Sequence, residues 1–528
     1  MSDVSRRKFV QTAAGAGAAL TIVPRHVLGR GFQAPSDTVN LATVGIGGMG
    51  GSNTRALMSQ NFVAICDVDF ELLDERLEGV KKAAENPPPQ RTQAMTRGGR
   101  APRVLSKAQQ DTNARRPRQD EAANLRKFVD SIPKIQKYKD YREMLDKQKD
   151  LDAIVVATPD HMHAAIASAA MSVGKHVYVQ KPLCWSVQEA RHLAKKAKEN
   201  PKLVTQMGNQ GHSRDEARTG YEYLTGGAIG DIREIHVWTN RPYGYWPQGI
   251  PRPAPMPEVS PTAQQWRGRV LEAKIAAAMY GDFKVPEQLN WDLFLGAAPV
   301  VPYHPIYHPF NWRGWVDWGQ GALGDMGAHL IDHPFWALKL GMPTIIETRS
   351  TPFNGATFPT ATTTYYEFPK RGNLPAVKLT WYDGGLTPPK PEEIGDEQLN
   401  GEGGILYIGS KGKMLQETYG LNPRLLPKSL HESYGTPKTV LKRVAHEEHE
   451  MNWIEAIQGK AEISCPFEYA TQLTEVMLLG IVALRAGSKI HYDAANMRVT
   501  NTVRLGGERV IDPNDFLKRD NRTGFELR

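Results

Sequence analysis

From about residue 38 onward, short apolar runs alternate with amphipathic stretches. Residues 39–44 predict a strand, a glycine-rich turn occupies 45–51, and a helix over about 53–59 leads into a second strand at 62–67. Helical periodicity then runs to about residue 85. After an interruption the alternation resumes, with helices near 121–130 and 140–147 and strands at 135–138 and 153–157. A helix over 162–173, a strand at 176–180, a helix over 186–199 and a strand at 203–206 extend it to about residue 210. Runs such as Ala153-Ile154-Val155-Val156 are apolar throughout, as strands buried on both faces require. Strands separated by helices in this order predict a doubly wound parallel sheet.

The texture then changes. Ile232-Arg233-Glu234-Ile235-His236-Val237-Trp238 alternates with period two, residues 242–262 are proline-rich, and further strand patterns fall at 344–350, 361–368, 375–382 and 404–408. A second α+β domain with a largely antiparallel open sheet is expected, followed by helices near 447–458 and 467–486. The boundaries read as a leader at 1–35, a first domain at 36–183, a second at 184–500 and a polar surface tail at 501–528.

The interruption, residues 86–120, is rich in Arg, Gln, Pro and Gly and nearly free of aliphatics. It predicts an exposed or disordered basic insertion without chemistry. It also changes how the charge is read. The chain of 528 residues carries a net +8, yet residues 1–30 hold five Lys or Arg against one Asp, and the insertion eight against two. The remainder is slightly acidic, which excludes the basic face of a nucleic-acid binder. Three scattered cysteines exclude a disulfide framework.

Gly45-Ile46-Gly47-Gly48-Met49-Gly50 is a G-x-G-x-x-G turn placed between a predicted strand and a helix. Asp67 closes the second strand 22 residues after Gly45, close to the ~20 of a dinucleotide-binding Rossmann unit. Gly45, Gly47 and Gly50 would let the backbone approach a pyrophosphate, and Asp67 would take the ribose hydroxyls and repel a 2′-phosphate. NAD is the expected cofactor.

Two stretches, Ala157-Thr158-Pro159-Asp160-His161-Met162-His163 and Gly174-Lys175-His176-Val177-Tyr178-Val179-Gln180-Lys181-Pro182-Leu183, together with the glycine-rich segments 321–329 and 403–412, resemble the Gfo/Idh/MocA oxidoreductases. The resemblance spans about 38–490. It implies cofactor contacts at Thr158, Pro159, His163 and Gln180, and catalysis by Lys181, Asp325 and His329. One departure stands out: the family reads Glu-Lys-Pro where this chain reads Gln180-Lys181-Pro182.

Lys181 at a strand end would lie at the carboxyl edge of the sheet, where such folds bind ligands. Asp325 and His329, four apart, would share a helix face, with the histidine as base for a hydroxyl proton. Asp332 and His333 read as structural. Between 291 and 318, aromatics interleave with polar groups and either line a sugar site or pack on one another. Trp312 and Arg313 are the substrate-side candidates. The histidines there do not recur at metal-ligand spacing, so no metal is expected.

Ser5-Arg6-Arg7-Lys8-Phe9-Val10 ahead of an Ala/Gly-rich stretch looks like a twin-arginine export signal. It is either trimmed near Val27-Leu28-Gly29 or kept as a membrane anchor, and it makes the export machinery a partner. The expected protein is an exported, periplasmic NAD-dependent oxidoreductase acting on a sugar, cyclitol or glycoside, with its cofactor recycled internally. The C-terminal sheet is the expected face for a homo-oligomer. The alternatives are an NAD-dependent glycosidase or lyase working by transient oxidation and elimination, and a non-catalytic sugar-binding protein on the same fold. Changing Arg6 and Arg7 together to Lys is expected to hold the folded protein in the cytoplasm; cell fractionation checks this.

Overall fold

The computed structural model describes residues 38–86, 104–258, 270–504 and 510–528; the leader and the core of the basic insertion lie outside them. Six strands form the first sheet: β1 (Asn40–Val44), β2 (Asn61–Cys66), β3 (Gln136–Tyr138), β4 (Ala153–Val156), β5 (His176–Val179) and β6 (Thr205–Met207). Their order is β3-β2-β1-β4-β5-β6, and every pair is parallel. This is the doubly wound order whose direction reverses between β1 and β4, opening a crevice beyond their carboxyl ends. The sheet runs past residue 183 to β6. The helix Val187–Glu199, started by a reciprocal Ser186/Glu189 cap, therefore belongs to the first layer as well.

A nine-stranded sheet makes the second layer. It contains β7 (Ile232–Thr239), β8 (Ile345–Ser350), β9 (Thr362–Phe368), β10 (Val377–Tyr382), β11 (Gly403–Gly409), β12 (Lys413–Glu417), β13 (Leu421–Leu426), β14 (Ile490–Asp493) and β15 (Arg498–Val499). The order is β13-β12-β11-β7-β10-β9-β8-β14-β15. Only the β7–β10 pair is parallel; the others run antiparallel. Alternate residues of β9 and β10 are buried, one face on the core and one toward solvent.

The helix Phe467–Ala486 joins the layers. It packs on the helix Val187–Glu199 on one side and on β8 on the other. It is apolar and long enough to span a bilayer, yet most of it is buried inside the fold, which is where an all-round apolar helix of a globular domain belongs.

Two expectations are corrected. The second half of the basic insertion is built into the fold: Lys107–Arg115 is helical, Ser106 bonds Asp215 through both its N–H and hydroxyl, and Arg116 pairs with Glu448 and Glu455. Polar side chains, rather than the missing aliphatics, hold it. The tail likewise does more than cover the surface. Leu517 and Phe525 are buried, and the guanidinium of Arg519 reaches Glu189 and the His161 carbonyl.

Leu473→Ala, at a fully buried position of the joining helix, is expected to cost about 2–5 kcal/mol. Urea denaturation should show both layers melting earlier in one transition.

Candidate active site

The carboxyl ends of β1, β2, β4 and β5 open into one cavity, roofed by residues 293–325 of the second domain and by Phe525. The glycine turn forms its floor. Gly45 has φ +84°, and a Cβ there would stand 2.7 Å from the Ala157 carbonyl oxygen; one on Gly50 would stand 1.7 Å from the Gly45 oxygen. Only glycine permits this approach of turn, β4 and helix Met49–Ala56. Gly47 and Asp67 line the cavity beside it. Asp67 steadies the turn, its carboxylate accepting the Ile46 N–H at 2.8 Å and the Asp69 N–H at 3.1 Å; burial raises its proton affinity against those bonds. Thr158 Oγ1 is buried with no partner among the described residues. A backbone cradle, a carboxylate and an unmatched hydroxyl on one wall fit a dinucleotide.

Lys181 follows β5, and its Nζ contacts Asp325 Oδ1 at 2.6 Å and the Asp325 carbonyl at 2.9 Å. Asp325 sits on the helix Gly321–Leu330 of the second domain, where Arg241 Nε approaches its other oxygen at 3.7 Å. Burial alone would raise this carboxyl, but Lys181 and Arg313 hold it down to about 2. The site thus presents a fixed carboxylate–ammonium pair. Arg313 lies against the rings of Trp312 and Phe310, at 4.2 and 4.3 Å, and all three line the cavity. The neighbouring Trp315 and Trp318 are fully buried in an aromatic cluster with Tyr307 and Phe294. Some residues of the aromatic segment thus line the cavity while others pack on one another.

Three candidates sit differently from expectation. His329 is on the helix with Asp325, but it does not line the cavity. Its ring packs edge-on against Tyr419 at 4.7 Å, its Nδ1 is buried without a partner among the described residues, and burial and Lys181 depress its basicity to about 3. His163 lines the cavity, but both its ring nitrogens face backbone carbonyls, of Pro182 at 2.7 Å and Thr158 at 2.8 Å, so it braces the strand ends. Gln180 reaches the cavity wall, yet its amide nitrogen is committed to Asn53 Oδ1 at 2.8 Å. Asn53 in turn donates to Glu450, so the carboxylate that the Glu-to-Gln departure removes has a buried counterpart two bonds away. Asp332 is structural as read, buried under His212 and Tyr469.

The residue pattern did not single out Asp160 or His308. Asp160 opens the helix Asp160–Ser172 and lines the cavity. Burial pushes its carboxyl up to about 8, against the pull of Arg313 and Lys181. Its signal was a lone acid ahead of two histidines, Asp160-His161-Met162-His163. His308 belongs to the aromatic segment and pairs with Asp69. Arg76, nine residues past Asp67, also lines the cavity.

Two family models match the chain: Oxidoreductase family, NAD-binding Rossmann fold, over residues 106–207, and Oxidoreductase family, C-terminal alpha/beta domain, over 268–343. The two matches, both to Gfo/Idh/MocA domain models, fall one in each layer of the fold and together cover about a third of the chain. The first match lies in the NAD-binding Rossmann domain and begins within the basic insertion, so the glycine turn falls ahead of it. A glycosyl hydrolase family 109 protein of Shewanella pealeana is 27% identical over 183 residues, which are 34% of this chain and 30% of that one. An alpha-N-acetylgalactosaminidase of Shewanella oneidensis is 34% identical over 76 residues, 14% and 16% of the two chains. The chain thus spans less than a third of the length of either. The WlbA dehydrogenase of Bordetella pertussis, solved with NADH and UDP-GlcNAcA, shares the fold at TM-score 0.50 and 15% identity, over 86% of this chain and 99% of that one.

Because the Asp160 carboxyl binds its proton more tightly in the fold than in the unfolded chain, its contribution is full below about 4 and is lost as pH rises through about 8. Asp160→Asn removes that titration. Urea denaturation is expected to show the variant gaining stability relative to the parent protein between pH 5 and pH 8.5.

Proposed function

We propose that this protein oxidises a secondary hydroxyl of a sugar, cyclitol or glycoside, using NAD that stays in the cavity between turnovers. The observation that carries this reading is the Lys181–Asp325 pair at 2.6 Å on the wall that also holds Thr158, Pro159 and the glycine turn. NAD, when bound, supplies the hydride acceptor. Lys181 hydrogen-bonds the oxygen that becomes a carbonyl and takes up its hydroxyl proton as an ammonium proton passes to the Asp325 carboxylate, which also keeps the lysine aimed. Trp312 and Arg313 give the sugar an apolar face and a hydrogen-bonding fork. His329, off the cavity wall and packed on Tyr419, takes no part in the proton transfer.

Retention of the cofactor follows from the export reading of Arg6-Arg7, since an exported enzyme has no expected pool of free NAD to exchange with. The hydride must then return to a substrate in the same site. One closed cycle oxidises one sugar and reduces another. A second oxidises a ring carbon transiently, which acidifies the neighbouring C–H and allows a glycosidic oxygen to leave before water adds and the ketone is reduced. The second is favoured by the family 109 relatives and by Asp160. A carboxyl protonated at neutral pH beside an ionised one is the acid that a departing oxygen needs.

The purified protein is expected to release NAD(H) on denaturation and to turn glycosides over without added NAD and without accumulating NADH. Lys181→Ala should keep its nucleotide and lose turnover by about 10²-fold or more. Stoichiometric NADH release by the parent protein would leave a simple dehydrogenase, and full activity of Lys181→Ala would remove the assignment.

A further inference from the structure

The nucleotide compartment is completed from outside its own domain. The turn after β2 carries Asp67, Val68 and Asp69, and a segment more than 200 residues further on pairs with it. The Phe70 N–H donates to the Gln288 carbonyl at 3.3 Å and the Asn290 N–H to the Val68 carbonyl at 2.8 Å, while Asp69 and Leu289 form an antiparallel bridge. Lys139 Nζ adds a bond to the Gln288 carbonyl at 3.2 Å. This segment leads to His308, whose Nε2 lies 2.8 Å from Asp69 Oδ2.

Asp69 is itself immobilised. Its Oδ1 accepts the Glu71 and Leu72 N–H groups at 3.1 Å as a helix cap, and its own N–H donates to Asp67 Oδ1. A carboxylate at Nε2 puts the imidazole proton there. Nδ1 is left as an acceptor on a cavity-lining residue, buried and without a partner among the described residues. Leaving such an atom unmatched is costly unless a ligand fills it.

We propose that His308 is a nucleotide contact supplied by the second domain, with Asp69 as its positioning residue, so that NAD is gripped between the two domains and leaves slowly. Nδ1 accepts a hydrogen bond from an O–H group, and the ribose hydroxyls that Asp67 addresses two residues away are O–H donors. The inference rests on the retained-cofactor reading and assigns that retention to named atoms.

The test is the rate at which NADH leaves the full-length protein, followed by its fluorescence after a chase with excess NAD. The parent protein should keep its nucleotide through gel filtration, and His308→Ala should release it about 10- to 100-fold faster, the scale of one hydrogen bond lost to a buried polar group. His308→Gln, which can present an amide to the cavity, should recover part of the difference. Asp69→Asn preserves the helix cap but moves the imidazole proton to Nδ1. It should accelerate release while the melting temperature of the nucleotide-stripped protein stays unchanged, which loss of a purely structural contact would not do. Release from His308→Ala and Asp69→Asn within twofold of the parent rate overturns the contact. Loss of nucleotide by the parent protein on gel filtration overturns the retained-cofactor reading instead, and the ratio of rates still decides whether His308 touches the nucleotide.

Discussion

The Lys181–Asp325 ion pair crosses from the end of β5 to a helix of the second domain, and the site exists only where these two layers meet. Both groups are largely buried, so neither is stable alone: a stranded ammonium or carboxylate at this depth costs several kcal/mol. The domains are therefore held at one spacing by their own chemistry. The nucleotide floor, the aromatic wall and Asp160 are all arranged around that spacing.

Around this pair the electrostatics diverge. Asp325 touches the ammonium, which holds its carboxyl low, while Asp160, buried on the same wall and pulled by Lys181 and Arg313 only through their charge, is pushed up to about 8. Two carboxyls of similar intrinsic acidity thus take opposite states within one cavity. Lys181 touches Asp325 directly and acts on Asp160 only through its charge.

Much of the fold was legible because its signals are local. The all-apolar β4 and the glycine turn each follow from a few adjacent residues, and the helix Phe467–Ala486 was read to its ends. What escaped was set by distant partners. The segment 104–120 looked like an unfolded basic run because its anchors, Asp215, Glu448 and Glu455, lie a hundred or more residues away. His329 looked like a base because four-residue spacing says which residues share a helix face and nothing about what covers it; Tyr419 does. His308 hid among aromatics, its meaning carried by an aspartate 239 residues earlier.

The joining helix also sets the order in which the molecule can assemble. The helix Val187–Glu199 turns its apolar face to Phe467–Ala486, and Tyr178 of β5 packs against Trp453. A ribosome-bound chain that has finished all six strands of the first sheet still exposes these surfaces until some 280 further residues have emerged. During synthesis these faces of the first domain stay uncovered until the helix Phe467–Ala486 is made, so the cavity wall supplied by the second domain closes late.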